Sequence, residues 1–329
     1  MGAAGRARNQ CRNPGEGMRK AGSHGLCLWA VGCMLAVVWP AAGAAQAYRQ
    51  AEAAAGDLLP EVRYLGAPLA DPMAPRISVG LMRTTLLATQ GPERDPFELA
   101  DADGAADEYV AAVGVGAVLP LVQLAVWDGG GAILTVEGRV FARFRIELPR
   151  RDDMGQDWYV GGAVEAGWPR VAARLGVLHR SSHIGDEFAD NTGASRIEFG
   201  GEQLDGMVAY DVPGVARLYG GGAWVFRSYL DWEPRLRALR VRDRALLQFG
   251  LDREWQPWSD PRFHAFAGAD YYSAERTGWH PAFAAAAGVG VRTTRSLRLT
   301  VRAFDGMSHM GEFFLTPERY ISLEVGARF

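Results

Sequence analysis

The stretch Ala132–Leu148, AILTVEGRVFARFRIEL, alternates two kinds of side chain with a period of two. Leu134, Val136, Val140, Ala142, Phe144 and Ile146 stand on one face, and Thr135, Glu137, Arg139, Arg143, Arg145 and Glu147 on the other. Successive side chains of a strand point to opposite faces, so this period marks a strand and excludes a helix. A strand of a soluble sandwich alternates as well, but here charge runs through the middle of the second face. One wholly apolar face backed by an Arg/Glu face suits a membrane barrel, with lipid outside and a polar lumen inside. SLRLTVRAF, Ser296–Phe304, repeats the pattern, with Leu297, Leu299, Val301 and Ala303 outward and Arg298 and Arg302 inward.

The C-terminus continues it. In ERYISLEVGARF, Glu318–Phe329, the residues Ile321, Leu323, Val325 and Ala327 lead at every second position to a terminal aromatic, with Glu324 and Arg328 on the inner face. That ending resembles the terminal strand of bacterial outer-membrane barrels, which implies recognition of this strand, through Phe329, by the barrel assembly machinery. Further two-faced segments place strands at 76–87, 108–127, 132–147, 158–168, 170–183, 195–211, 215–227, 245–254, 262–272, 282–293, 296–304 and 319–329. The expected fold is therefore all-β, a single antiparallel transmembrane barrel of about twelve strands, an even number as such barrels have. Short turns DGGG, WP, PG and TRS then fall on the periplasmic side with both termini, and the longer connections fall outside. A phase flip near Asp205–Gly206 is compatible with a bulge or with an extra hairpin.

The chain carries 329 residues and a net charge of -3, so it lacks the basic excess of a nucleic-acid binder. Its three cysteines, Cys11, Cys27 and Cys33, all precede the barrel, which leaves the barrel without disulfides or thiolate metal sites. Arg19 and Lys20, the apolar run GLCLWAVGCMLAVVW and the small residues AAGAAQA read as an export signal over 1–47, cleaved after Ala47. Met18 is an alternative start. Residues 48–75 read as an Ala- and Pro-rich periplasmic lead-in, and 76–329 as the barrel.

LADPMAPRISV (69–79), SSHIGDE (181–187), RLYGGG (217–222) and SHMGEFF (308–314) resemble, in that order, recurrent blocks of domain-of-unknown-function family 1207. The resemblance spans most of the mature chain. It implies an outer-membrane barrel and carries no activity.

The most polar stretch is HRSSHIGDE, His179–Glu187. Strand parity continues the lipid-side phase of Val171, Ala173, Leu175 and Val177 into His179, Ser181 and His183, while Arg174, Arg180 and Ser182 face the lumen. Residues i and i+2 of a strand lie about 6.5–7 Å apart on one face, within reach of an imidazole acting as base for a hydroxyl. This His-x-Ser arrangement on an outer wall resembles outer-membrane phospholipase A and the lipid A deacylases, whose His–Ser pairs meet acyl esters from the membrane side. That resemblance implies His179 as base, Ser181 as nucleophile and Asn191, or else Glu187, as the orienting third group. Ser182 departs from the Asn those enzymes typically carry after the serine.

Three other readings stay open. A divalent metal would draw on His183, Asp186 and Glu187, and on the echo of SHIGD (182–186) in SHMGE (308–312), which brings in His309 and Glu312. His179 and His183 are about 13 Å apart on an extended strand, too far to share one ion without a bend. The stretch is equally a polar rim that binds lipopolysaccharide headgroups, with Gly185 and Gly311 supplying permissive turn dihedrals. Finally, the inner charges Glu137, Arg139, Arg143, Arg145, Arg174, Arg180, Arg298 and Arg302 suit either a water-filled channel or a barrel plugged by Arg–Glu pairs.

Overall fold

The structure, a computed structural model, describes residues 54–85, 108–146, 152–192, 194, 196–292 and 296–328. The export-signal reading, the three cysteines, Glu147, Phe329 and the side chain of Arg328 lie outside the described residues.

Twelve strands close into one barrel among the described residues. They are β1 Ile77–Thr84, β2 Glu108–Trp127, β3 Gly130–Arg145, β4 Asp153–Gly167, β5 Val171–Ile184, β6 Phe199–Val212, β7 Ala216–Ser228, β8 Ala245–Trp255, β9 Phe263–Ala274, β10 Ala282–Arg292, β11 Ser296–Met307 and β12 Pro317–Arg328. Each pairs antiparallel with its chain neighbours, and β12 returns to β1 in a register running from Ile77↔Ala327 to Thr84↔Tyr320. Closure matters because an open edge would leave backbone groups unpaired in hydrocarbon. No described helix is long and apolar enough to cross a membrane.

Alternation holds around the wall. Val79, Leu81, Leu175, Val177, Leu247, Phe249, Leu297, Leu299, Leu323 and Val325 are exposed on the outside. Trp158, Trp168, Trp224, Trp232, Trp258 and Trp279 are exposed as well, near strand ends, as interfacial aromatics are. β4 starts five residues earlier than its sequence pattern suggests, because Gly155 and Gln156 pair with Ile184 and His183 at the rim. Above the apolar band a ladder can continue without apolar alternation, which is why the pattern misses it. β6 runs unbroken through Asp205 and Gly206, so no extra hairpin exists. The irregularity lies nearby, where Glu202 pairs with Arg227 but Gln203 with Val225, leaving Phe226 as the extra residue of a bulge in β7.

The inner face is filled by ion pairs. Arg174 bridges Glu137 and Asp205, each at 2.7 Å, and Arg302 meets Glu324 at 3.1 Å. Arg143 pairs with Glu318, Arg298 with Glu254 and Arg180 with Asp243. Arg145 lies 3.7 Å from Asp152, and Arg139 stacks its guanidinium 4.6 Å over the Tyr159 ring. All eight charges expected inside are thus turned inward. Pairing is what makes such burial tolerable, since a lone buried charge would cost several kcal/mol.

Both ends of the lumen are obstructed. The stretch 54–76, which the sequence suggests is a lead-in ahead of the barrel, lies against inward-facing residues near the short turns. Arg63 pairs with Glu165, the Leu69 amide donates to Asp252 at 2.9 Å, and Arg302 donates to the Ala70 carbonyl at 2.6 Å. Val62, Leu65, Leu69, Ala70 and Ala74 are buried there. At the opposite end, the short helix α1, Asp186–Thr192, and the single turn Gly311–Phe313 cap the opening. Phe188, Met310 and Phe313 form an apolar cluster there with Met154, Ile184 and Phe304. A cavity of about 140 Å³ remains between plug and cap, lined by Arg139, Arg174, Arg180, Arg276, Tyr272 and His309 among others.

Candidate functional site

His179, Ser181 and His183 share the outer face of β5, and Arg180, Ser182 and Ile184 are buried on the inner one. Across the wall, His179 stands between Val160 of β4 and Glu202 of β6. Ser181 stands between Trp158 and Gly200. The next neighbour of Glu202 is Arg227 of β7. Polar groups therefore form a row across three strands, next to the outward apolar residues Val160, Val177 and Leu204.

Depth decides whether that row can exist. A cationic side chain on the lipid face costs about 2–4 kcal/mol at the bilayer midplane but about 0–1 kcal/mol near the interface. The row lies within five residues of the upper end of β5, within three of the start of β6 and one from the end of β7. The row thus lies toward the ends of these strands, the side of the wall on which that cost is smaller.

His179 Nδ1 lies 3.3 Å from Glu202 Oε1. A carboxylate only accepts, so Nδ1 carries the hydrogen and donates it. The tautomer this selects leaves Nε2 unprotonated, the form a base needs. The Ser181 hydroxyl makes no hydrogen bond to a described residue, His179 included. Tyr229 borders the pair: its ring centroid lies 6.5 Å from that of His179, and its Cδ2 lies where a Cβ on Gly200 would come within 2.8 Å. Any side chain at position 200 would thus displace the ring beside Ser181.

Asn191 does not take the orienting place. It lies in α1 and donates to Asp152 Oδ2 at 3.0 Å, while Glu202 faces His179. Glu187 is exposed in the first turn of α1. Sequence reasoning missed Glu202, although it was visible as an acid in phase with outward Leu204, Val208 and Tyr210.

The metal reading finds no cluster. Among the described residues no three His, Cys, Asp or Glu side chains come together as a cation site. His183 is exposed on the outer wall, Asp186 pairs with Arg196 at 2.5 Å, and His309 is half-buried inside against Phe304 and Tyr272. Burial, reinforced by Arg143 and Arg276, pushes the His309 imidazole down to about 3, so it stays neutral.

The echo of SHIGD in SHMGE is instead an interlock. The Glu312 amide donates to Ser182 Oγ at 3.1 Å, and its carboxylate accepts from the Ile184 and Ile197 amides at 3.0 and 3.1 Å. Gly311 donates its amide to Asp157 at 3.0 Å. Neither glycine of the echo has a positive φ, contrary to the turn-dihedral expectation. Both are required by close approach: a Cβ on Gly185 would lie 1.8 Å from the Asp153 carbonyl oxygen, and one on Gly311 would lie 2.5 Å from Ser182 Cβ.

Burial pushes the Glu312 carboxyl up to about 7 from an ordinary 4.5, against the pull of the Ile197 and Ile184 amides. The folded cap therefore keeps this proton to higher pH than the unfolded chain does. Its contribution is fully present below about 4.5 and is lost as pH rises through about 7, with a slope approaching about 1.4 kcal/mol per pH unit in that window. Hydrogen exchange of residues 308–316 is expected to accelerate between pH 5 and 8 beyond the intrinsic chemical rate. Glu312→Gln should flatten that excess, and a profile identical to wild type would refute the assignment.

Outer-membrane phospholipase A from Escherichia coli is similar in structure, with a TM-score of 0.49 and 10% identity over 78% of this chain and 94% of that one. LpxR from Salmonella typhimurium gives 0.37 and 12% over 77% and 100%. The transport unit of the autotransporter AIDA-I from Escherichia coli gives 0.39 and 11% over 77% and 88%. No curated protein matches the sequence. Residues 101–329, more than two thirds of the chain, match the family described as "Protein of unknown function (DUF1207)", and the protein belongs to that family.

Proposed function

We propose that this barrel is an outer-membrane acyl-ester hydrolase that works from its lipid-facing wall. The observation carrying the reading is the Glu202 carboxylate on Nδ1 of a histidine that shares the outer face with Ser181. Glu202 holds the imidazole in the base tautomer and offsets the charge it gains. Nε2 of His179 takes the Ser181 proton as Oγ attacks the ester carbonyl. The imidazolium then returns that proton to the departing alcohol, leaving an acyl-serine. Water, deprotonated by the same imidazole, cleaves the acyl-serine and restores the hydroxyl.

Insertion follows from the same reading. The segment to Ala47 serves as the export signal, the C-terminal sequence that closes on Phe329 addresses the assembly machinery, and both termini face the periplasm. The upper rim then meets lipopolysaccharide headgroups. The direct test uses purified full-length protein in nonionic detergent with a long-chain sulfonyl fluoride. Covalent labelling at Ser181, with parallel loss of phospholipid or lipid A ester hydrolysis, supports the proposal. Failure of wild type to hydrolyse any acyl ester would overturn it.

The channel reading is disfavoured by the plug at 54–76 and the cap around Phe188 and Phe313. Planar-bilayer recordings of wild type are expected to show no steady conductance. Stable ohmic steps would restore the channel reading.

A further inference from the structure

Parity along β7 assigns Arg227 to the lumen, since Val225 two residues earlier is fully buried inside. The bulge at Phe226 reverses this. It shifts the register by one residue, pairs Arg227 with Glu202, and leaves the Arg227 side chain 57% exposed on the outer wall. Bulges commonly re-aim a side chain in this way.

Its surroundings are equally specific. The guanidinium lies 5.7 Å from the ring centroids of both Tyr229 and Trp232, which stack on each other at 5.1 Å. Its Nε is 3.7 Å from Glu202 Oε2, beyond hydrogen-bond distance. The head is thus held in place by an aromatic platform and a nearby acid, with its fork of donors open to the interface. Arg227 lies two strand spacings from His179, about 10 Å between backbones, a gap its own side chain largely spans. At interfacial depth, the anion that matches a planar fork bidentately, a few bonds from an acyl ester, is a lipid phosphate.

We infer that Arg227 is the phosphate-recognising residue of the outer-wall site, so that its substrate is an acyl ester carried on a phosphate-bearing lipid. The inference rests on the hydrolase reading for the reaction but not for the binding. Two sources share this chemistry: glycerophospholipids and the phosphorylated, acylated disaccharide of lipopolysaccharide.

The test measures full-length wild type, Arg227→Ala and Arg227→Lys in nonionic detergent, each checked for the heat-modifiable gel shift of a folded barrel. Hydrolysis is followed on phosphatidylglycerol, on lipid A and on neutral diacylglycerol. Binding of a non-hydrolysable ether analogue of phosphatidylglycerol is followed by tryptophan fluorescence. Arg227→Ala is expected to lower the ratio of phosphate-bearing to neutral turnover by roughly tenfold or more, mainly through KM, and to weaken analogue binding by about the same factor. Arg227→Lys should recover part of both. The preferred phosphate-bearing arm identifies the source. Equal loss on neutral and phosphate-bearing lipids, or unchanged analogue binding, overturns the inference while leaving the hydrolase reading intact. Absence of all hydrolysis with an Arg227-dependent binding difference overturns the hydrolase reading alone.

Discussion

Ser181→Ala is expected to reduce acyl-ester turnover by about a thousandfold or more, with analogue binding and the folded gel shift retained. His179→Ala should cost about as much, because nucleophile and base act as one unit and the loss of either removes the shared step. Glu202→Gln keeps the shape but replaces an obligate acceptor by an amide that can also donate. It should lower turnover by roughly a hundredfold, less than the loss seen where a buried acid orients the base, because His179 is about two fifths exposed and water screens the pair. Asn191→Ala should leave turnover near wild type, since its amide is engaged with Asp152. The decisive comparison is Glu202 against Asn191. If Asn191→Ala is crippled and Glu202→Gln is not, the orienting assignment is wrong.

Asp243→Ala is expected to destabilise the barrel by about 3–5 kcal/mol, the cost of stranding buried charge. Asp243 is 1% exposed in the connection before β8, and it meets Arg180, Arg276 and the Ser228 hydroxyl. Burial works against its charge, but Arg180 and Arg276 outweigh burial and hold the carboxyl below its usual range. Its stabilisation is therefore present above the ordinary carboxylate pKa and fades as pH falls through the lower folded value. Removing it leaves two buried guanidinium groups facing each other without their shared counter-ion. Urea unfolding of the refolded barrel at pH 7 measures the cost. Asp243→Ala with Arg180→Ala should lose less than the sum of the single variants, since the second change removes one stranded charge. A single-variant cost below about 1 kcal/mol would mean that water reaches this pair.

How much of this was legible beforehand follows from what each signal depends on. The two-residue period of Ala132–Leu148 and Ser296–Phe304 reports only on the local chain, and it places the strands to within a few residues wherever lipid enforces an apolar face. At the rims that constraint lapses, so the start of β4 among polar residues was not readable. Parity also divided HRSSHIGDE correctly into outer His179, Ser181 and His183 and inner Arg180 and Ser182. It could have flagged Glu202, whose acid breaks an outward apolar stripe.

The sequence by itself determined the strand order, the two-faced wall, the inward charges and the outer His–Ser pair, because a membrane solvent writes these into every second residue. Only the tertiary structure decided that Glu202 and not Asn191 faces His179, since cross-strand register depends on the pairing of β5 with β6. It alone revealed the plug formed by 54–76, the interlock of Ser182 with Glu312, and the partners of Asp243, all contacts between residues distant in the chain. It also turned Arg227 outward, because one unpaired residue at Phe226 inverts the parity on which every sequence-level assignment of a face rests.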